Sequence, residues 1–161
     1  MIEKMIFRKQ SEEIIKLYKD KNVIKILSGI RRSGKSFMLR LLLENFIKTG
    51  ISENQILYID FEDFENAQYL ASKNLYDFVK EQNQKVGGKR LYLLFDEIQE
   101  VEDWEKIVNS LYSSEKIDCD IYLTGSNANL LSSELATYLS GRYVNISVFP
   151  LSYKEFLDIY V

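Results

Sequence analysis

The chain has 161 residues, 46% of them hydrophobic and 28% charged, the balance of one globular domain and not of a disordered or fibrous chain. It contains no histidine and a single cysteine, Cys119, which excludes the usual zinc sets and every Ser-His or Cys-His catalytic pairing within the chain. The N-terminal decapeptide is too charged for a signal-peptide core, no apolar run approaches a membrane span, and the lone thiol suits a reducing compartment, so the expected location is cytoplasmic with no membrane partner. The net charge of −3 divides unevenly, with +7 in residues 1–50 and −10 in the remainder. A basic third of this kind permits approach to a nucleic-acid backbone without specifying one, and scattered cations also suit a solvated face.

Apolar runs alternate with amphipathic stretches, which predicts a parallel sheet covered by helices on both faces. The first helix is expected from Ser11, a suitable N-cap followed by Glu12 and Glu13, to about Lys19. A strand over residues 23–27 leads into Gly29-Ile30-Arg31-Arg32-Ser33-Gly34-Lys35-Ser36 and then a helix to about Lys48, with Gly50 just beyond it. Further strands are expected over 55–60, 91–95, 120–124 and 143–148. A helix marked by Leu75, Phe78 and Val79 separates the second and third strands. Another, capped by Asp103 and carrying Trp104, Ile107, Val108, Leu111 and Tyr112 on one face, follows the third, with Trp104 read as core. A further helix is expected from about Leu130, and residues 151–161 open another that stops without a capping signal.

Residues 29–36 fit G-x-x-x-x-G-K-S between a strand and a helix, where backbone N–H groups can wrap a phosphate and the helix dipole faces the same anion. Gly29, Ile30, Arg31, Arg32, Ser33, Gly34, Lys35, Ser36 and Phe37 therefore form the expected nucleotide-binding set. Lys35 is expected to reach the β- and γ-phosphates and Ser36 to offer its hydroxyl to Mg²⁺; Arg31 and Arg32 carry no catalytic role. The strand Leu91 to Phe95 ends in Asp96-Glu97. Asp96 suits a hydrated Mg²⁺, and Glu97 suits polarising a water for attack on the γ-phosphate. After the fourth strand, Thr124, Ser126 or Asn127 can orient that water or read the γ-phosphate; alternatively Ser126 or Asn127 caps the next helix. Arg142, just before the last strand, is placed to serve a neighbouring subunit's nucleotide, with a surface salt bridge as the plainer alternative. The guanine-reading Asn-Lys-x-Asp string does not occur, which favours ATP over GTP.

Taken together these residues resemble the AAA+ ATPases, specifically a bacterial and archaeal group of predicted AAA+ proteins. The resemblance is carried by residues 29–36, 58–63, 95–99 with Trp104, 123–127, 139–142 and 150–156. It implies a three-layer α-β-α sandwich with a five-stranded parallel sheet in the order 5-1-4-3-2. It further implies a Walker A motif at residues 29–36, a Walker B motif ending at Asp96-Glu97, a sensor-1 region at Ser126 and Asn127, and an arginine-finger position at Arg142. Such proteins continue into a helical lid and a further domain, so residues 1–161 are read as the ATPase core, a fragment of a longer protein. The function expected is ATP-Mg²⁺ binding and hydrolysis coupled to conformational change or assembly, in a possible homo-oligomer through Arg142. A nucleotide-dependent switch or scaffold with little hydrolysis is the alternative.

Overall fold

A computed structural model describes residues 9–126, 139–150, 153, 154 and 157. In chain order the elements are α1 (Lys9–Tyr18), β1 (Ile24–Ser28), α2 (Lys35–Lys48), β2 (Ile56–Asp60), α3 (Ser72–Lys85), β3 (Leu91–Asp96), α4 (Trp104–Ser113), β4 (Cys119–Thr124) and β5 (Tyr143–Ser147), with short 3-10 turns at Glu53–Gln55, Phe64–Leu70 and Ile98–Glu100. The five strands form one sheet in the order β2-β3-β4-β1-β5, every neighbour parallel. Read from the other edge this is the expected 5-1-4-3-2.

Alternation along the strands builds a core on each face. On β3, Leu91, Leu93 and Phe95 pack into the layer that holds Leu75 and Val79 of α3 and Trp104, Ile107, Val108 and Leu111 of α4. Tyr92 and Leu94 point the other way, into the layer that holds Ile14 of α1 and Met38, Leu39, Leu42 and Phe46 of α2. Phe46 fills the centre of that second core, with its ring centroid 5.0 Å from Tyr92 and 5.6 Å from Tyr122. Trp104 is core, as its spacing requires.

One expected cap is corrected, and the other keeps its place without its side-chain bond. Ser11 lies inside α1, buried, with the helix already formed at Lys9. Asp103 does occupy the N-cap of α4, but in a left-handed conformation (φ 51°), and its side chain makes no capping hydrogen bond. Its carbonyl instead accepts from the N–H groups of Lys106 and Ile107. The helix expected from Leu130 lies outside the described residues, as does most of the one expected over 151–161, of which residues 153, 154 and 157 are helical.

The sheet also buries an ion pair among its apolar strands. Lys25 of β1, fully buried, donates to Asp120 of β4 and, at 2.7 Å, to the Lys21 carbonyl. Asp120 further accepts from the Asp20 N–H at 3.0 Å and the Tyr122 hydroxyl at 2.8 Å, so the pair is closed by neutral donors.

A nucleotide site at the strand ends

The loop between β1 and α2 lies at the C-terminal ends of the strands, where open parallel sheets bind ligands. Gly34 has φ +94°, the left-handed conformation that turns the chain into α2. Gly29 is needed for space: a Cβ there would stand 2.5 Å from the Val148 carbonyl oxygen and 2.6 Å from Ser33 Oγ. The loop is tied to β5 by the Val148 N–H donating to the Ser28 carbonyl at 2.7 Å, and it folds on itself through Ser33 N–H to the Ile30 carbonyl at 3.1 Å. Lys35 is 6% exposed, and its ammonium donates to the carbonyls of Gly29 at 2.7 Å and Ile30 at 3.2 Å. A phosphate oxygen at the same place is a stronger, charge-assisted acceptor than either carbonyl.

Beside the loop, a cavity of about 370 Å³ is lined by Arg31, Arg32, Ser33, Gly34, Lys35, Ser36, Phe37, Arg40 and Glu97. Most of the expected nucleotide-binding set is thus brought together, and Glu97 lines the same cavity. Gly29 and Ile30 line a separate niche of about 210 Å³ with Ser28, Ser147, Val148, Phe149 and Pro150.

Asp96 is 2% exposed, and both its carboxylate oxygens are engaged. Thr124 Oγ1 donates to Oδ1 at 2.5 Å, and the Tyr58 hydroxyl donates to Oδ2 at 3.1 Å. The same Thr124 oxygen accepts the Glu97 N–H at 2.9 Å, so one hydroxyl joins the two acids. Thr124 is fully buried in this bridge; the half-buried Ser126 follows it, and Asn127 lies outside the described residues. Burial and the nearby Asp96 charge push the Tyr58 phenol up to about 12, partly offset by a hydrogen bond with Arg40. Tyr58 therefore stays protonated and remains a donor. Glu97 itself stands at φ 57°, ψ 53°, left-handed for a non-glycine residue, and its carboxylate accepts from Gln99 Nε2 at 2.5 Å. Desolvation, then the charges of Glu97 and Asp60, raise the Glu62 carboxyl above its ordinary value, with Arg31 opposing them.

The residues expected to hold a divalent cation, Ser36 and Asp96, offer hard oxygens of the kind Mg²⁺ takes; Ser36 lines the cavity and Asp96 does not. No cluster of three or more His, Cys, Asp or Glu side chains able to hold a metal occurs among the described residues. A small ion carried in with phosphate oxygens and water fits that sparse set better than an all-protein cage does.

Arg142 sits elsewhere. It precedes β5, at the N-terminal ends of the strands, roughly 16 Å of strand away from the loop that follows β1. Its carbonyl accepts from the Ile24 N–H at 2.8 Å, and its guanidinium donates to Asn109 Oδ1 of α4. It does not join the cavity of its own chain. At the same end, a recess of about 410 Å³ is lined by Asp20, Arg90, Asp118 and Cys119 among others, and Arg90 pairs there with Asp118 and with Asp20, each at 3.1 Å. Burial, then the charges of Asp118 and Asp120, push the Cys119 thiol up to about 12.

Sequence reasoning missed the roles of Tyr58, Gln99 and Arg40. Tyr58 and Gln99 lie in the stretches that carried the resemblance, but only the pairing of β2 with β3, which sets Asp60 beside Asp96, brings Tyr58 to the acid.

A parallel sheet with a glycine-bounded loop, a lysine at the start of the following helix and an acidic pair on the neighbouring strand end defines a P-loop nucleotide-binding domain. The chain belongs to the AAA domain family, whose model matches residues 21–157. It is 47% identical over 159 residues to an uncharacterized protein of Haemophilus influenzae, covering 98% of this chain and 38% of that protein. It is 38% identical over 136 residues to a protein of Methanocaldococcus jannaschii, MJ1544, covering 84% and 28% respectively. The chain thus spans about a third of the length of these relatives. Among solved structures, its fold is similar to AMPPCP-bound DnaA from Aquifex aeolicus (TM-score 0.54, 18% identity, 94% of this chain and 47% of that one). It is similar also to Aeropyrum pernix ORC1 in complex with DNA (TM-score 0.60, 15% identity, 94% and 46%). No helix among the described residues is long and apolar enough to cross a membrane.

Proposed function

We propose that this domain binds ATP with Mg²⁺ and hydrolyses it, and that the nucleotide state is passed on as a conformational change or as assembly. The observation that carries the proposal is the placement of Glu97 on the wall of the cavity that also holds Lys35 and the N-terminus of α2. Anion-binding donors and a carboxylate able to polarise water then share one cavity around the phosphate. Lys35 leaves its loop carbonyls for the β- and γ-phosphates. Ser36 and Asp96 would hold the cation, which when bound would supply positive charge against the phosphoryl oxygens. Thr124 fixes the acidic pair, and the niche at Ile30, Phe149 and Pro150 supplies apolar walls for the base. A divalent ion that arrives with the nucleotide and a cytoplasmic setting accord with this chemistry.

Arg142 acts, in this reading, on the nucleotide of a neighbouring copy, since it stands at the far end of the sheet from its own cavity. That same placement supports a second reading, a switch that binds ATP and hydrolyses little when alone. Phosphate release measured across a protein concentration series separates the two. Activity per molecule that rises steeply with concentration and is lost in Arg142→Ala establishes hydrolysis between subunits; tight ATP binding with negligible turnover at every concentration establishes the switch. DNA is present in the ORC1 structure, and a nucleic acid is a compatible partner here.

A further inference from the structure

We propose that Gln99 is a positioning residue for Glu97, fixing the carboxylate so that one oxygen is held and the other faces the phosphate cavity; this rests on the ATPase reading above. Glu97 is pinned at both ends. Its N–H donates to Thr124 Oγ1 at 2.9 Å, which sets the left-handed backbone, and its Oε2 accepts from Gln99 Nε2 at 2.5 Å. The 3-10 turn that presents Gln99 is itself anchored by Ile98, fully buried, and closed by the Glu100 N–H donating to the Glu97 carbonyl at 3.2 Å. A side chain with three rotatable bonds at the edge of a cavity thereby keeps one orientation before any ligand arrives, which is the condition for efficient proton abstraction.

The chemistry of an amide suits this task. A lysine or arginine in the same place would hold the carboxylate but neutralise it, whereas a glutamine N–H orients it and leaves its charge for the water. The other end of the amide is revealing: Gln99 Oε1 is buried with no hydrogen-bond partner. A buried acceptor left unpaired costs stability, so the amide is a poor choice for packing alone, and its one satisfied group is the donor on Glu97.

The test is Gln99→Met, of similar length and without the donor, measured in the whole protein beside Gln99→Asn, whose amide is one methylene too short to reach. Both should lower kcat about 10- to 100-fold. The affinity for ATP should stay within twofold of the parent, and Gln99→Met should melt no lower, because the unpaired oxygen goes with the amide. In a Glu97→Gln background, Gln99→Met should cause no further loss. Unchanged or raised kcat overturns the proposal, as does a loss that follows ATP affinity or thermal stability, which would mark a structural role. A parent whose turnover survives Glu97→Gln overturns the assignment of Glu97 and the positioning role with it, a result readily told apart from failure at Gln99 alone.

Discussion

Replacing Gly29 with alanine tests whether the phosphate loop is shaped by close packing against β5. The added Cβ would lie 2.5 Å from the Val148 carbonyl oxygen and 2.6 Å from Ser33 Oγ, where ordinary contact begins near 3.4 Å, so the neighbours must retreat by about 0.9 and 0.8 Å. Ser33 can turn its hydroxyl away. Val148 cannot: its oxygen is backbone, and its N–H is bonded to Ser28 at 2.7 Å. Overpacking of this kind costs about 1–3 kcal/mol, and a rigid backbone neighbour puts Gly29→Ala at the upper end. At about 2–4 °C per kcal/mol for a chain of this size, the melting temperature should fall by about 6–12 °C. The same displacement moves the Gly29 carbonyl that holds Lys35, so stabilisation by Mg-ATP should shrink as well. Thermal melts with and without Mg-ATP read both effects. Gly50→Ala is the control, at φ +99° with nothing within 4 Å, where the cost is conformational, about 1–2 kcal/mol, and ATP stabilisation is untouched. A Gly29→Ala protein that melts within a degree of the parent and gains as much from Mg-ATP refutes the packing argument.

Two further outcomes concern the opposite end of the sheet. Asp120→Asn should cost about 3–5 kcal/mol by leaving Lys25 without its counter-charge, and adding Lys25→Met should recover a large part of that loss. Burial holds Lys25 below the ordinary lysine range, so the unfolded chain binds the extra proton just beneath that range, and the stability of Asp120→Asn should rise as pH is raised toward it; chemical denaturation at several pH values reads the sign. Cys119, pushed up to about 12 by burial and by Asp118 and Asp120, stays a thiol at neutral pH, and alkylation should be far slower in the native protein than in denaturant; equal rates would contradict its placement.

The sheet was legible because its strands are apolar runs bounded by polar turns, and β3 shows this best: Leu91 to Phe95 is buried on both faces, as its composition requires. The loop was legible because its function constrains consecutive residues. Caps were less so. Ser11 has the right chemistry for a helix start, but packing of Ile14 against α2 extends the helix past it. The hydroxyls around Asp96 could not be read locally, since Tyr58 and Thr124 are 38 and 28 residues away and meet it only through strand register, Phe95 beside Leu123 and Asp60 beside Asp96. Lys25 and Asp120 likewise look like polar interruptions of apolar strands until the pairing of β1 with β4 brings them together.

The most direct test of the central claim is steady-state phosphate release from Mg-ATP by the protein, with ATP binding measured in parallel on Lys35→Ala and Glu97→Gln. The account predicts that Lys35→Ala no longer binds, and that Glu97→Gln binds as the parent does while turnover falls by at least about a hundredfold. Undiminished ATP affinity in Lys35→Ala, or parental turnover in Glu97→Gln, would contradict it.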